Sequence, residues 1–240
     1  MSAKQLVRSA FHAIGVDVRR SRPPGNLGEI PDRELYRPFF SPWLGAEAER
    51  LYAIAAPRTL VSRDRCYVLQ TLLRQSLALP GDVWECGVYK GGTAAMMATM
   101  LREAGSPKAL HLFDTFCGMP ETDAKRDLHR QGDFDDTSLA AVREFVPDAV
   151  FHVGFIPDTF AGLSDERIAL AHVDLDLYQS VSDALAFIWP RLSTGGFVVF
   201  DDYGYPSCPG ARAAVDHFYA KTSTVPLCLH TGQAIVFKSA

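Results

Sequence analysis

Five short apolar runs, separated by stretches with helical spacing, constrain the fold of this chain more than any other feature. The runs cover residues 83–88, 109–113, 150–153, 168–173 and 197–200. Helical candidates lie between and after them, at residues 92–104, 137–145, 178–192 and 210–220. Continuous apolar strands that alternate with helices are typical of βαβ units, in which helices cover both faces of a parallel sheet. We therefore predict an α/β fold with a doubly wound, mostly parallel sheet.

Both ends of the chain depart from this alternation. Near the C-terminus, the apolar runs 225–230 and 234–237 are separated by a short Thr-Gly-Gln turn, which predicts an antiparallel hairpin at the edge of the sheet. Residues 1–45 are rich in Arg and Pro, and we expect a helix near residues 5–14 followed by a loop-rich arm. A longer helical pattern begins at about Arg58.

Composition and charge exclude several classes of protein. The 240 residues are 48% hydrophobic and 22% charged, which is ordinary for a soluble globular chain with a sizeable core. The net charge of −4 provides no general attraction to nucleic acid or to an anionic membrane. No apolar stretch approaches the roughly 20 residues that span a bilayer, and the five cysteines form no C-x-x-C pair. We expect a cytoplasmic protein with reduced thiols and with neither a membrane nor a nucleic-acid partner.

A glycine-rich turn follows the first apolar run. The segment 85–93, with the sequence ECGVYKGGT, closes the predicted strand and opens a helix. Glycines allow a sharp turn and close approach of a ligand, and the amides at a helix start, together with Thr93, can face an anionic or carboxylate group. The spacing G-x-x-x-G-G differs from the dinucleotide fingerprint G-x-G-x-x-G. The alternative is a tight turn that binds no ligand.

An acidic residue, Asp114, comes directly after the second apolar run. An aspartate at the end of a second strand, about 20 residues beyond a glycine turn, can accept hydrogen bonds from ribose hydroxyls. Taken alone, it serves equally well as a turn or helix-capping residue. Because Asp114 and the glycine turn fall at the same edge of one sheet, together they indicate a cofactor that contains adenosine.

The densest group of acidic residues follows the fourth and fifth apolar runs. Asp174 and Asp176 follow the fourth run, and Asp201 and Asp202 follow the fifth. The carboxyl ends of neighbouring parallel strands meet at one edge of a sheet, so we expect Asp174 to converge with the later pair. Facing carboxylates repel unless a cation or a proton neutralises them, and oxygen ligands favour Mg²⁺, Mn²⁺ or Ca²⁺ over Zn²⁺. Asp174 and Asp176 project the same way, so one would bind metal while the other faces substrate as a base. The alternative is a set of loop and helix-capping aspartates.

In their order along the chain, these motifs resemble those of the macrocin O-methyltransferase (TylF/MycF-type) family. The resemblance covers roughly residues 55–237 and includes the segments ECGV, GGT, FDTF, HVDLDLY, DDY and GARAAVD. That family consists of class I methyltransferases that use S-adenosylmethionine, require a divalent metal, usually Mg²⁺, and methylate sugar hydroxyls on natural products. The resemblance implies transfer of a methyl group to a hydroxyl of a sugar, on a glycosylated natural product or a deoxysugar.

The resemblance also implies a metal site and a base. The ligands of Mg²⁺ or Mn²⁺ would be Asp174, Asp201 and Asp202. Asp176 would be the general base, although an ordinary aspartate is a weak base unless its site raises its pKa. His129 lies in a polar loop that would offer a second base, and the alternative is a solvated histidine. His172 closes a buried strand, where a structural role is the more common one.

The cofactor would lie at the glycine turn. Its methionine end would be lined by Glu85, Gly87 and Thr93, and its ribose would be bound by Asp114. Residues 57–240 would form the S-adenosylmethionine-binding catalytic domain, and residues 1–56 an N-terminal arm or helical cap over the acceptor site. The arm matches the family least clearly, and its helices would also allow packing as a homo-oligomer.

Other functions stay open at this point. A catechol or phenol hydroxyl is the second choice of acceptor. A nucleotide-dependent oxidoreductase uses a similar sheet, but its glycine spacing differs and hydride transfer needs no site with three aspartates. Metal-dependent phosphoryl transfer also uses acidic strand ends, but the chain has no G-x-x-x-x-G-K-[ST] segment. A cofactor-binding scaffold without activity is the weakest alternative, because every expected metal and base position is present.

Overall fold

Within residues 41–239, the part of the chain that this computed structural model describes, seven strands form one sheet. They are β1 (Asp82–Cys86), β2 (Leu110–Asp114), β3 (Val150–Val153), β4 (Ile168–Val173), β5 (Leu192–Phe200), β6 (Leu227–Cys228) and β7 (Ala234–Phe237). Their spatial order is β3-β2-β1-β4-β5-β7-β6. β7 is antiparallel to β5 and β6, and all other neighbouring strands are parallel. The order reverses between β1 and β4, where doubly wound sheets bind their ligands.

Helices cover both faces of the sheet. They are α1 (Ala46–Ala55), α2 (Arg63–Ser76), α3 (Gly92–Glu103), α4 (Leu139–Phe145), α5 (Tyr178–Arg191) and α6 (Pro209–Tyr219). Successive strand residues point to opposite faces, so Val83 joins the apolar cluster beneath α1 to α4 and Trp84 joins the cluster beneath α5 and α6. None of the helices in this part of the chain combines the length and apolarity needed to cross a membrane. The predicted α/β class, with its antiparallel C-terminal edge, is confirmed.

The predicted strands and helices are largely found where the sequence pattern places them, with one clear difference at β5. This strand begins at Leu192, well before the predicted start at residue 197, because α5 ends at Arg191 and the chain passes directly into the strand. The C-terminal hairpin forms as predicted, although β6 is shorter than its apolar run.

The N-terminal side of the fold differs more from the prediction. A helix that the pattern did not reveal, α1, belongs to the compact unit that begins at Pro42, and it buries Ala48, Leu51 and Ala55 against the core. Helix α2 begins at Arg63 rather than near residue 58. The helix expected near residues 5–14 lies outside the described residues, as does most of the expected arm, so its place over an acceptor stays a prediction.

Candidate active site

The register of the sheet places the carboxyl ends of four neighbouring strands side by side at the same edge. Cys86 of β1 pairs with Phe113 of β2 and with Val173 of β4, and Val173 pairs in turn with Phe200 of β5. The residues that follow these four in the chain are Gly87, Asp114, Asp174 and Asp201. All of them line one cleft of about 270 Å³. The predicted convergence of the motifs is therefore found in the structure.

Gly87 lies directly after the end of β1, where the chain leaves the sheet, and no other residue fits at this position. Its φ is +87°, and a Cβ atom at this position would lie 1.8 Å from the carbonyl oxygen of Asp174. The backbone N–H of Asp174 also donates a hydrogen bond to the carbonyl of Cys86, at 2.8 Å. The glycine turn and the acidic segment after β4 are thus in direct backbone contact.

The second half of the glycine turn starts helix α3. Gly91 precedes the helix with a φ of +82°, and a Cβ on Gly92 would lie 2.5 Å from the carbonyl oxygen of Ala55. Gly92 therefore lets the helix start lie against the end of α1, whereas a Cβ on Gly91 would lie 2.8 Å from the side chain of Val142 in α4. Thr93, in the first turn of α3, is buried and lines the cleft. The backbone N–H groups of a first helical turn lack intrahelical partners, so they are available to a ligand.

Asp114 has the turn role that the sequence left open, and it also faces the cleft. Its Oδ2 accepts hydrogen bonds from the backbone N–H groups of Val88, at 2.6 Å, and Tyr89, at 2.9 Å, and its Oδ1 accepts one from Phe116, at 2.7 Å. The carboxylate therefore holds the glycine turn in shape. It also lines the cleft, and its Oδ1, which accepts only one of these hydrogen bonds, keeps a further lone pair for a ligand hydroxyl.

Asp174 and Asp202 are the two carboxyl groups of the acidic cluster that have few hydrogen-bond donors around them. Among the residues that the structure describes, none donates a hydrogen bond to the Asp174 carboxylate, whereas Asp202 accepts one from the backbone N–H of Asp176, at 3.0 Å. Burial, followed by repulsion from Asp201, raises the pKa of Asp174 well above its ordinary value. Burial and Asp174 raise the pKa of Asp202 in the same way.

Asp201, in contrast, is closely surrounded by donors. Its Oδ2 pairs with the guanidinium of Arg65, its Oδ1 accepts a hydrogen bond from Gln233 at 2.8 Å, and His172 Nε2 lies 3.5 Å from the same oxygen. Burial alone would raise the pKa of Asp201, but His172 and Arg65 hold it below its ordinary value. Asp201 is therefore the ionised member of the cluster.

Glu85 and His172 form a fully buried pair next to the cluster, with His172 Nδ1 2.9 Å from Glu85 Oε1. Burial alone would lower the pKa of His172, but the carboxylates of Asp201 and Glu85 outweigh it and raise the pKa to about 10. Gly87 and Thr93 line the cleft, whereas Glu85 is not among its lining residues. His172 engages only Oε1 of Glu85, and the buried Oε2 has no hydrogen-bond partner among the described residues.

The donor atoms of this cluster fit a hard divalent cation. Ligand atoms of His172, Asp174 and Asp201 lie within 4.8 Å of one another, and Asp202 adds a carboxylate beside them. Carboxylate oxygens are the ligands that Mg²⁺ and Mn²⁺ prefer. A cation here would relieve the repulsion that raises the pKa values of Asp174 and Asp202. Asp201 would have to share its oxygens between that cation and Arg65.

Asp176 occupies a strained position facing the cleft. Its φ of +58° lies in the left-handed region, which is costly for a residue other than glycine and is found most often at functional sites. Its side chain is 18% exposed. Burial raises the pKa of Asp176, although a hydrogen bond from Cys208 Sγ, at 3.0 Å, acts in the opposite direction. A raised pKa makes this carboxylate a better proton acceptor than an ordinary aspartate.

A loop anchored to two helices carries His129 over the cleft. Asp127, a buried residue of this loop, accepts a hydrogen bond from the first backbone N–H of α5, that of Tyr178, at 2.9 Å. A Cβ on Gly210 of α6 would lie 2.0 Å from the same Asp127 oxygen, so only glycine leaves room for this contact. His129 Nε2 is thereby held 3.7 Å from Asp176 Oδ1. The side chain of His129 is therefore largely buried over the cleft, at 20% exposed, and its role as a second base stays a prediction.

Sequence reasoning missed three residues of the site. Arg65, Cys208 and Gln233 all contact the acidic cluster, but none belongs to a motif. Arg65 left one detectable signal, because it is the one charged residue among the buried residues of α2. Cys208 and Gln233 lie in segments between strands and helices, where spacing gives no such signal.

Solved structures first define the class of fold. The chain superposes on the structure of the O-methyltransferase NovP with a TM-score of 0.73 at 22% identity, covering 81% of this chain and 98% of that one. At this identity the likeness concerns the fold alone. It agrees with the seven-stranded sheet and the cleft at its carboxyl edge.

The sequence then identifies the family. The sequence model of macrocin-O-methyltransferase (TylF) matches residues 53–232, and the chain belongs to this family. It is 36% identical over 170 residues to the 8-demethyl-8-(2,3-dimethoxy-alpha-L-rhamnosyl)-tetracenomycin-C 4'-O-methyltransferase of Streptomyces olivaceus, covering 64% of this chain and 65% of the relative. It is 32% identical over 179 residues to the mycinamicin III 3''-O-methyltransferase of Micromonospora griseorubida, covering 67% and 69%. The match thus spans about two thirds of each relative's length.

Proposed function

We propose that this protein is an S-adenosylmethionine-dependent O-methyltransferase that acts on a sugar hydroxyl, on a glycosylated natural product or a deoxysugar. One observation carries the proposal: family membership across residues 53–232 coincides with an acidic cluster beside a cofactor-sized cleft. The relatives named above support a hydroxyl as acceptor, because both are named as O-methyltransferases, and the name of the first includes a rhamnosyl sugar.

The cofactor would lie across the glycine turn. Gly87 and Thr93 would face its methionine end, and Asp114 would accept hydrogen bonds from its ribose while it holds the amides of Val88 and Tyr89. Glu85 would support the turn from below through its hydrogen bond with His172. This arrangement would fix the methyl group near the acidic cluster, because Gly87 and Asp174 are in backbone contact.

Asp174, Asp201 and Asp202 would hold Mg²⁺ or Mn²⁺. When bound, the cation would act as a Lewis acid that lowers the pKa of the acceptor hydroxyl and orients it for transfer. Arg65 and Gln233 would keep Asp201 ionised and in place by their contacts with its two oxygens.

Asp176 would serve as the general base. As the acceptor oxygen bonds to the methyl carbon, the bond from that carbon to sulfur breaks, and the Asp176 carboxylate takes the hydroxyl proton. The raised pKa of Asp176 suits this role. The loop that carries His129 would exclude water from this region, because it is fixed to α5 through Asp127.

The experiment that tests the proposal is a methyl-transfer assay by mass spectrometry. Purified protein is incubated with S-adenosylmethionine, Mg²⁺ and a panel of glycosides, nucleotide-linked deoxysugars and catechols. We expect a singly methylated product with a sugar acceptor, and loss of that product with Asp176→Asn. Asp148→Asn is the matched control, since its side chain is 77% exposed. If only catechols were methylated, the proposed acceptor would be a catechol instead of a sugar. If no acceptor were methylated, the proposal would be contradicted.

A further inference from the structure

Three side chains of different chemistry meet at one side of the cleft. Cys208 Sγ lies 3.0 Å from Asp176 Oδ1 and 3.7 Å from His129 Nε2, and the two latter atoms are 3.7 Å apart. These side chains come from the residue that precedes α6, from the segment after β4 and from the loop over the cleft. A sulfur, a nitrogen and an oxygen donor thus form a compact triangle with two sides of 3.7 Å and one of 3.0 Å.

The sides of this triangle lie within about 0.5 Å of those of one face of a zinc tetrahedron. Zinc bonds of about 2.0 Å to nitrogen and oxygen and about 2.3 Å to sulfur, at tetrahedral angles, separate the ligand atoms by about 3.3–3.6 Å. The three observed separations run from 3.0 to 3.7 Å. Little movement would therefore be needed to bind zinc. Mg²⁺ does not suit this set, because it prefers oxygen ligands.

A second observation points to a metal at the same place. Asp133 Oδ2 lies 3.3 Å from His129 Nδ1 and also accepts a hydrogen bond from the backbone N–H of Arg130, at 2.9 Å. A carboxylate on the outer nitrogen of a histidine is the usual partner of a metal-binding imidazole. It keeps the proton on Nδ1 and leaves the lone pair of Nε2 facing Asp176 and Cys208.

The site is also open to an incoming ion and to a fourth ligand. The side chains of His129 and Asp176 are 20% and 18% exposed, toward the cleft, whereas Cys208 is only 3% exposed. Three protein ligands with an open fourth position are the arrangement of zinc sites that keep a water or substrate ligand. As zinc bonds to sulfur, the thiol proton now shared with Asp176 would leave to solvent.

We propose that His129, Asp176 and Cys208 form a site for Zn²⁺ or another thiophilic divalent cation, distinct from the carboxylate cluster at Asp174. A zinc ion bound there engages Asp176, so it blocks the proposed general base and inhibits the enzyme that Mg²⁺ activates. Binding of the ion does not depend on the proposed function, whereas the inhibition rests on it.

Cobalt absorption tests the binding directly. Co²⁺ is titrated into reduced, metal-free protein while the thiolate-to-cobalt charge-transfer band is recorded. We expect the band in the unchanged protein and in Cys228→Ser, whose thiol is exposed and outside the site. We expect Cys208→Ser to abolish it. Asp133→Asn should weaken cobalt affinity by about 10- to 100-fold, as loss of a carboxylate partner of a metal-bound histidine does. Added Zn²⁺ should displace the band, and Mg²⁺ at the same concentration should not.

The outcomes separate this proposal from the proposed function. A band that survives in Cys208→Ser, or that Mg²⁺ removes as readily as Zn²⁺, would overturn the zinc site. Circular dichroism establishes whether each variant folds. If Cys208→Ser does not fold, His129→Asn takes its place in the cobalt titration. Inhibition is then measured as the ratio of methyl-transfer activity with Zn²⁺ to activity without it. In Cys208→Ser, added Zn²⁺ should leave the activity unchanged. A protein that transfers no methyl group but shows the Cys208-dependent band would retain the site and lose only the proposed function.

Discussion

Arg65 of α2 and Asp201 at the end of β5 form a buried ion pair, with side chains 10% and 0% exposed. Arg65 also donates a hydrogen bond to the carbonyl of Leu60, at 2.8 Å, and lies over the ring of Tyr205, 4.9 Å from its centre. The pair therefore ties the helical layer to the acidic cluster. Since both charges are withdrawn from water, neither tolerates the loss of the other.

Removing the Arg65 guanidinium should destabilise the protein strongly. We expect Arg65→Met to lower the free energy of unfolding by about 3–5 kcal/mol, because the buried Asp201 carboxylate loses its closest counter-ion and keeps only His172 as a cationic neighbour. Arg74→Met is the control, because Arg74 is 45% exposed and its partner Glu47 is 58% exposed. That change should cost less than about 1 kcal/mol. Urea unfolding measures the free energy of unfolding of both variants. Equal losses in the two variants would show that the Arg65–Asp201 pair stabilises the protein no more than an exposed pair does.

Gly87 should not accept a side chain. Gly87→Ala combines an unfavourable φ with overlap against the Asp174 carbonyl, so we expect a loss above about 4 kcal/mol or failure to fold. Gly105→Ala separates the two effects, since its φ is +59° but nothing lies within 4 Å of a Cβ there. Backbone strain alone should cost about 1–2 kcal/mol. Similar thermal stability of the two variants would contradict the close contact between β1 and β4.

Asp114 should matter for cofactor affinity. We expect Asp114→Ala to weaken S-adenosylhomocysteine binding by roughly 10- to 100-fold, because it removes a charged acceptor and the anchor of the glycine turn. Asp136→Ala is the control, since Asp136 contacts Tyr89 and Lys90 of the same turn through their side chains but is 62% exposed. Calorimetry measures both affinities. An Asp114→Ala variant with unchanged affinity would remove this residue from the ribose site.

The buried Glu85–His172 pair should make stability depend on pH. The pKa of His172 is raised in the folded protein from 6.5 to about 10, so its charged form stabilises the fold below pH 6.5. This contribution should be lost as the pH rises toward 10. We expect the unfolding midpoint to fall over that range more steeply in the unchanged protein than in His172→Gln. His217→Gln, which changes an exposed histidine, should keep the steep slope, and parallel curves for all three proteins would refute the coupling.

The sequence could predict the sheet because its signals are local. Continuous apolar runs identify buried parallel strands, and the order of the motifs along the chain fixes which strand ends carry Asp114, Asp174 and Asp201. Helix α1 was not predicted, because its sequence, AEAERLYAIA, buries only a narrow stripe of residues. It also lies next to a segment without clear periodicity.

The full site could not be predicted, because it depends on how separate elements pack. Arg65 reaches Asp201 only through the placement of α2 against β5, and His129 reaches Asp176 only because Asp127 docks its loop on α5. No spacing within one segment encodes such contacts. The buried contact between Glu85 and His172 illustrates the same limit, since no sequence motif reveals it, and the cofactor contact expected of Glu85 stays a prediction.

The central claim is that the chain binds S-adenosylmethionine and a metal-dependent hydroxyl acceptor in one cleft. Its most direct test is calorimetry of chelator-treated protein with S-adenosylhomocysteine, followed by Mg²⁺ and then by sugar and catechol acceptors. We predict saturable heat from S-adenosylhomocysteine without metal, and heat from a sugar acceptor only after Mg²⁺ is added. Absence of S-adenosylhomocysteine binding both before and after Mg²⁺ is added would contradict the account.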